Sequence, residues 1–155
     1  AQINKKNEKE VIPLHPSFDE NETNSLRITG MTGNWDVKYK VGVTHIHIEY
    51  VSPKNQEGRQ PEFIEKRERL TYKHFRAKVE AAIWELERKI IGDRTFRVKV
   101  WARDKDIHDM GEKWIYGCKL VSVPNPPKTT FIFAAPDGQV IPKFGLDEFE
   151  LMEEL

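Results

Sequence analysis

The fold is decided by residues 71–92, TYKHFRAKVEAAIWELERKIIG. Apolar side chains recur in this stretch at spacings of three and four, which places them on one stripe of an α-helix. The stripe consists of Phe75, Val79, Ala82, Ile83, Leu86 and Ile90. Thr71 suits the N-cap position and Gly92 suits the C-terminal stop. The stretch therefore predicts one long amphipathic helix, over about residues 71–91, whose apolar stripe packs on a sheet.

The remaining surface of this helix is mostly charged. Glu87 and Arg88 belong to that charged surface, and Trp84 also falls outside the apolar stripe. We therefore expect these three side chains to point away from the core. A tryptophan in such a position typically marks a contact between subunits.

Before the helix, apolar and polar residues alternate with the period of two that a half-buried strand shows. The apolar positions are Val37, Tyr39, Val41 and Val43 and then, after a slip of one residue, Ile46, Ile48 and Tyr50. The slip indicates a bulge near residues 43–45, a strand that changes its packing partner there, or a tight turn between two strands. A short strand is also expected at residues 25–29. Residues 62–70 fit either a helical turn or a charged loop.

Alternation returns after the helix. Residues 96–102 and 114–120 alternate on either side of a polar connection, which predicts an antiparallel hairpin. Cys118 alternates with apolar residues in the second strand and is therefore expected in the core. Residues 129–135 and 140–144 predict two more strands around a Pro-Asp-Gly turn. Residues 147–155 fit either a strand or a helix.

These patterns predict an α+β fold, a mostly antiparallel β-barrel or sandwich with one long helix. A chain of 155 residues is close to the commonest domain size, so residues 25–155 are expected to form a single β-rich domain. Residues 1–24 are rich in Lys, Glu and Asn around a short apolar cluster. They are expected to form an extended N-terminal arm that docks by this cluster or, equally, a disordered tail.

Composition narrows the classes of function. The chain has 25 Lys and Arg against 25 Asp and Glu, and this formal net charge of zero does not suit a dedicated nucleic-acid binder. No stretch approaches the roughly 18 apolar residues of a membrane span, so no membrane partner is expected. Cys118 is the only cysteine, which excludes an internal disulfide and a cysteine metal cluster and favours a reducing compartment.

The zero net charge conceals an uneven distribution. Residues 54–105 contain fifteen Lys and Arg against nine Asp and Glu, a net of +6, whereas residues 136–155 contain one Lys against six Asp and Glu, a net of −5. Either these charges only keep the surface solvated, or the two segments complement each other in neighbouring copies of the chain.

His45-Ile46-His47 is the motif in this sequence that best suits metal binding. Alternate residues of a strand share a face, so both imidazoles could bind one divalent metal ion. The motif resembles the His-hydrophobe-His sequence of rolling-circle replication initiators and relaxases, which implies a metal that polarises a DNA phosphate and a helical tyrosine, here Tyr72, that attacks it. However, the sequence pattern predicts no helix before His45, and Arg76 stands where that family usually has a lysine. The alternative is two exposed or interfacial histidines.

The four tryptophans offer stacking surfaces for bases or sugars. Trp84 and Trp101 fall off the predicted core faces, and for such residues a subunit interface is the more usual explanation.

Residues 71–123 resemble the tail-tube proteins of contractile-tailed bacteriophages. The matching features are an amphipathic helix that ends in Gly92, the strand at residues 96–104, a polar loop, and the strand at residues 112–123 that runs into Pro124. Residues 34–39 and 147–151 resemble that family's strand before the helix and its last strand. The chain differs from the family at Gly58, at residues 62–70 and at residues 136–142.

The resemblance implies a small β-barrel or sandwich flanked by one helix, with subunits that form rings, commonly hexameric. Such rings stack into a hollow tube that conducts DNA without reading its sequence, inside a virion assembled in the host cytoplasm with other virion proteins. No catalytic residue, cofactor or resident metal is implied. The residues expected at the contacts between subunits are Trp84, Trp101, Arg88, Arg97, Lys99, Asp147, Glu148 and Glu150.

Three alternatives accompany this hypothesis. One is a related neck, tail-terminator or baseplate component. Another is a metal-dependent DNA-nicking protein that uses His45, His47 and Tyr72. The third is a small adaptor domain that binds another protein through its helix or its tryptophans.

Overall fold

The computed structural model describes residues 23–102, 111–153 and 155. Within these ranges the chain forms one α-helix and nine strands. In chain order they are β1 (Thr23–Gly30), β2 (Gly33–Val41), β3 (His45–Val51), β4 (Phe63–Glu68), α1 (Tyr72–Ile91), β5 (Phe96–Ala102), β6 (Gly111–Ser122), β7 (Phe131–Ala134), β8 (Val140–Lys143) and β9 (Phe149–Leu151). The predicted α+β class with one long helix is confirmed. The predicted arm at residues 1–24 lies outside the described residues except for Thr23 and Asn24, which begin β1.

The strands form two open antiparallel sheets. One has the order β1-β2-β3-β4 and the other the order β8-β7-β6-β5-β9. Each sheet has two end strands, so neither closes into a barrel. The described chain also divides into two compact units, residues 23–29 with 33–80 and residues 30–32 with the described part of 81–155. Among the described residues, no helix has both the length and the apolar character that a membrane span requires.

In the first unit, β2 and β3 form the hairpin that explains the slip in the alternation. Val41 lies opposite Ile46, and both are buried. Between them, the Gly42 N–H donates to the His45 carbonyl at 2.7 Å, and a Cβ on Gly42 would lie only 2.9 Å from that oxygen. Of the three alternatives for the slip, the tight turn between two strands is therefore the one that forms.

The prediction for residues 62–70 was wrong, because Phe63–Glu68 form an edge strand rather than a helical turn or a loop. An edge strand has one neighbour and buries little, so it lacks the clean alternation that identifies the other strands. Residues 63–68 form a strand because of their partner, since β4 pairs with β3 along its whole length.

Helix α1 begins and ends as predicted. The Thr71 hydroxyl accepts a hydrogen bond from the His74 N–H at 3.3 Å, and Gly92 adopts a φ of +59° while its N–H donates to the Arg88 carbonyl at 3.1 Å. In the first unit, the ring of Phe75 packs 4.8 Å from the ring of Tyr39. The predicted packing of the helix on a sheet is confirmed there.

The buried stripe of α1 differs from the prediction in its second half. The buried helical residues at intervals of four are Phe75, Val79, Ile83, Glu87 and Ile91, with Trp84 beside them. Leu86 and Ile90, which were expected in the core, are only half-buried. Glu87 and Trp84 were expected to point outward, and both predictions were wrong. The buried row follows the i, i+4 direction, so it includes position 87 whatever residue stands there.

The core of the second unit is aromatic. The ring centroid of Phe149 lies 4.7 Å from that of Phe133, 5.1 Å from that of Phe131 and 5.8 Å from that of Phe96. Trp84 adds an edge-on contact to Phe131 at 5.5 Å. This cluster fixes the position of β5 and hence of the residues on its opposite face.

Candidate functional site

The exposed face of β5 and β6 brings three of the predicted interface residues together. Phe96 and Val98 are buried, so the alternate residues Arg97, Lys99 and Trp101 share the opposite face. The strand register places Lys99 opposite Trp114 and Trp101 opposite Glu112. We call this surface, formed by Arg97, Lys99, Trp101, Glu112, Trp114 and Tyr116, the β5–β6 face.

A β-bulge in β6 completes the β5–β6 face. Val98 pairs with Ile115 but Phe96 pairs with Cys118, so β6 contains one more residue than β5 at this point. Gly117 lies in the bulge with a φ of +76°, a conformation that glycine adopts without strain. As a result Tyr116 is 54% exposed while Cys118 is fully buried, as predicted for the cysteine. Burial raises the pKa of the Cys118 thiol.

Arg97 is held between an aromatic ring and a carboxylate. Its guanidinium carbon lies 4.1 Å from the centroid of the Trp114 ring, and its Nη2 lies 3.0 Å from Glu150 Oε2 on β9. Hydrogen bonds to Glu150 and then to Tyr116 raise the pKa of Arg97. The guanidinium is therefore fixed in position by groups of its own chain.

The second cation of the β5–β6 face is also paired. Lys99 Nζ lies 3.5 Å from Glu112 Oε2 and 5.4 Å from the centroid of the Trp114 ring. With Arg97 neutralised by Glu150 and Lys99 by Glu112, the β5–β6 face carries little net charge. Trp101, at 63% exposed, and Tyr116 are its uncovered aromatic groups.

The other predicted interface residues lie elsewhere in the second unit. Trp84 is 9% exposed and packs against Phe131, so it belongs to the core. Its indole nitrogen is buried without a hydrogen-bond partner among the described residues. Arg88 lies 3.9 Å from Glu85 and donates to the Val121 carbonyl at 2.7 Å.

The acidic C-terminal segment is paired within its own chain. Glu148, Glu150 and Glu153 lie 3.6, 3.0 and 3.7 Å from Lys143, Arg97 and Arg94, respectively. Asp147 lies in the 3₁₀ turn Leu146–Glu148. The uneven charge of the sequence is thus partly compensated inside one subunit, and these carboxylates do not need a neighbouring copy to balance them.

His45 and His47 lie on the exposed face of β3, so the prediction that their side chains share a face is confirmed. His45 Nδ1 lies 2.9 Å from the Thr44 hydroxyl, and His47 Nε2 lies 3.3 Å from Glu49 Oε2. The described part of the chain contains no group of three His, Cys, Asp or Glu side chains placed to hold a metal ion. Tyr72 is half-buried, and its ring lies 6.3 Å from that of Phe75.

A polar cluster in the first unit was not predicted from the sequence. The Tyr50 hydroxyl donates to Glu65 at 2.7 Å, and Glu65 is also paired with Arg67. Burial and the Glu65 carboxylate raise the pKa of Tyr50. The cluster forms because Phe63, Glu65 and Arg67, which are alternate residues of β4, lie on the face of the sheet that carries Tyr50 in β3. It could be predicted from the sequence only if residues 63–68 were recognised as a strand.

Comparison with known protein families, with curated proteins and with solved structures found no match for this chain. No relative therefore supplies a role for any of these residues. The chemistry of the β5–β6 face and of the exposed face of β3 is what remains to indicate a function.

Proposed function

We propose that this protein is a self-assembling structural subunit whose copies associate through the β5–β6 face. In keeping with the resemblance of its sequence, we propose a virion protein of the tail-tube kind, assembled in the host cytoplasm, whose rings stack around a channel for DNA. The observation that carries the proposal is Trp101, 63% exposed beside the stacked pair of Arg97 and Trp114.

The composition of the β5–β6 face supports a protein partner. Tryptophan, tyrosine and arginine are the residues that dominate the binding energy of protein interfaces. A tryptophan side chain exposes up to about 250 Å², and burying the exposed part of Trp101 would contribute up to roughly 4 kcal/mol at about 25 cal/mol per Å². The stacked, ion-paired Arg97 is already ordered, so little side-chain entropy is lost when a partner covers it.

The near-neutral charge of the β5–β6 face favours a second copy over nucleic acid. Binding to DNA or RNA needs cations that remain free to neutralise phosphates. Here Glu150 and Glu112 occupy Arg97 and Lys99. For the same reason the β5–β6 face of one copy can lie against a different surface of the next copy without strong charge repulsion, and this is the kind of contact that closes a ring.

The nicking-enzyme alternative has less support. It needs a metal site at His45 and His47, and within the described part of the chain no group of three His, Cys, Asp or Glu side chains is placed to hold a metal ion. Tyr72 is half-buried and in contact with Phe75, whereas a tyrosine that attacks DNA must be free to reach it. The adaptor alternative shares the β5–β6 face and differs only in its partner.

Sedimentation velocity over a wide range of protein concentrations tests the proposal, with negative-stain microscopy of the most concentrated samples. We expect the intact chain to form discrete oligomers, visible as rings or tubes, and Trp101→Ser to shift the distribution toward monomer. Phe144→Ser is the matched control, because Phe144 is also 63% exposed but lies just beyond β8. A chain that stays monomeric at every concentration would refute self-assembly. Equal dissociation by both variants would refute the β5–β6 face as the contact.

A further inference from the structure

Three nitrogen-bearing side chains lie in one row across the exposed face of the first unit. The register of β2 and β3 places Lys40 opposite His47, and the register of β3 and β4 places Lys66 opposite the same histidine. Residues directly opposite each other point to the same side of a sheet. Lys40, His47 and Lys66, which we call the basic row, therefore project together from three adjacent strands.

The backbone hydrogen bonds show how closely these side chains approach. The Gly42 N–H donates to the His45 carbonyl, and the Arg69 N–H donates to the Thr44 carbonyl. Since bonded and non-bonded pairs alternate along an antiparallel ladder, His47 and Lys66 form a non-bonded pair, the kind whose Cα atoms lie about 4.5 Å apart. The fold therefore places one lysine on each side of this histidine, on the exposed face of the sheet.

A pocket of about 270 Å³ opens beside the basic row. Its walls are the three side chains of the row together with residues 41–45, which form the end of β2 and the hairpin turn and include the Thr44 hydroxyl and the His45 imidazole. The volume is below the roughly 300–1,000 Å³ typical of sites for drug-sized ligands. It suits a small ligand or a single charged group.

The charges around the pocket favour a negatively charged ligand. Among the described residues, neither Lys40 nor Lys66 has a carboxylate within ion-pair distance, whereas Glu49 is engaged by His47 at 3.3 Å. Glu68 lies opposite His45, two pairs further along the same two strands. Two unpaired ammonium groups repel a metal ion, so they disfavour the use of His45 and His47 as metal ligands.

We infer that the pocket beside the basic row binds a phosphate group. Lysine is a common binder of phosphate, and Thr44 and the imidazoles supply further hydrogen-bond donors. A phosphate has enough oxygens to accept hydrogen bonds from Lys40, His47 and Lys66 at once, and it carries more negative charge than a carboxylate to balance two ammonium groups. Bound phosphate also supplies the counter-charge that the two ammonium groups lack within the described part of the chain. This function is separate from self-assembly through the β5–β6 face.

Titration of the full chain with inorganic phosphate, followed by two-dimensional NMR and by thermal unfolding, tests the inference. We expect saturable shifts of residues 40–47 and 66, and an unfolding temperature that rises with phosphate. Lys40→Gln and Lys66→Gln should each weaken binding by about tenfold, the usual effect of one charge-assisted hydrogen bond. Lys38→Gln is the matched control, because Lys38 lies on the same strand and face but outside the pocket. It should change the affinity by less than about twofold, as expected for a surface charge without direct contact to the ligand.

Three results would overturn the inference. One is a wild-type chain whose spectrum shows no saturable change with phosphate. Another is an equal loss of affinity in Lys38→Gln, which would mean that phosphate responds to net charge rather than to a site. The third is saturable binding of Zn²⁺ that His47→Ala abolishes and phosphate does not displace, because that result would assign the histidines to a metal. Thermal unfolding of each variant without phosphate confirms that it is folded.

Discussion

Thr32 donates two hydrogen bonds to one buried oxygen of Glu87. Its backbone N–H lies 2.7 Å and its hydroxyl 2.6 Å from Oε2, while the Met31 N–H lies 3.0 Å from Oε1. Glu87 is fully buried. It lies 55 residues after Thr32 in the sequence, so the contact joins α1 to the turn between β1 and β2. The second half of α1 thus holds this turn by three hydrogen bonds to the Glu87 carboxylate.

Replacing Glu87 is therefore expected to destabilise the protein far more than replacing an exposed glutamate. Glu87→Gln keeps the size but turns an NH₂ group toward backbone donors, and we expect a loss of about 2–4 kcal/mol in the free energy of unfolding. Urea denaturation measures it. Glu85→Gln, two positions earlier on the exposed side of α1, should change stability by less than about 0.5 kcal/mol. Similar losses in the two variants would contradict the role given to Glu87.

Gly30 is the second element of this contact. A Cβ at this position would collide with the Glu87 carboxyl group, so Gly30→Ala should cost about 1–3 kcal/mol in unfolding free energy. Gly111→Ala is the control, since a Cβ there meets nothing within 4 Å. The double variant Gly30→Ala, Glu87→Gln should lose less stability than the sum of the single variants, because both act on one contact. Additive losses would show that the two positions are independent.

Tyr50 makes stability sensitive to alkaline pH. Its raised pKa means that the folded protein keeps the phenolic proton after the unfolded chain has begun to lose it near the ordinary value of 10.0. The stabilisation is complete below about pH 10 and is lost as pH rises above it. Chemical denaturation between pH 8 and 12 measures this slope, which Tyr50→Phe should reduce. Spectrophotometric titration in which all four tyrosines ionise near their ordinary pKa would contradict the prediction.

Gly117 is expected to control the shape of the β5–β6 face. An alanine would have to adopt a φ of +76° with its Cβ 3.3 Å from the Pro136 ring. We expect Gly117→Ala to cost about 1–2 kcal/mol in stability and to weaken self-association by displacing Tyr116. Gly138 also has a positive φ but has open space around it, so Gly138→Ala separates backbone strain from the effect on Tyr116. Unchanged association in Gly117→Ala would exclude Tyr116 from the contact.

The sequence predicted those elements whose pattern is local. The limits of α1 follow from the spacing of its apolar residues and from Thr71 and Gly92, and the strands predicted at residues 96–102 and 114–120 form the pair β5 and β6. The predicted alternation of the second strand does not hold throughout, because the bulge leaves Tyr116 exposed and Cys118 buried. The sequence failed where a residue's surroundings come from distant parts of the chain. Glu87 appears solvated until the turn at residues 31–32 is placed against it, and β4 becomes a strand only through its pairing with β3.

The candidate site was predicted in part for the same reason. Arg97, Lys99 and Trp101 lie on one strand, so their common face can be inferred from alternation alone. The partners that neutralise the two cations come from β9 and β6, and no local pattern identifies them. The prediction for Trp84 was wrong, because its position off the apolar stripe suggested exposure whereas Phe131 covers it.

The internal ion pairs of the β5–β6 face determine how assembly should respond to ionic strength. Screening weakens charge attraction between subunits, but Arg97–Glu150 and Lys99–Glu112 are satisfied within each subunit before any contact forms. Burial of aromatic surface, in contrast, is strengthened by sulfate and similar salts. An oligomer held together by such faces would therefore stay assembled in both dilute and concentrated salt. Phosphate held by the exposed lysines of the basic row would instead be released as the salt concentration increases.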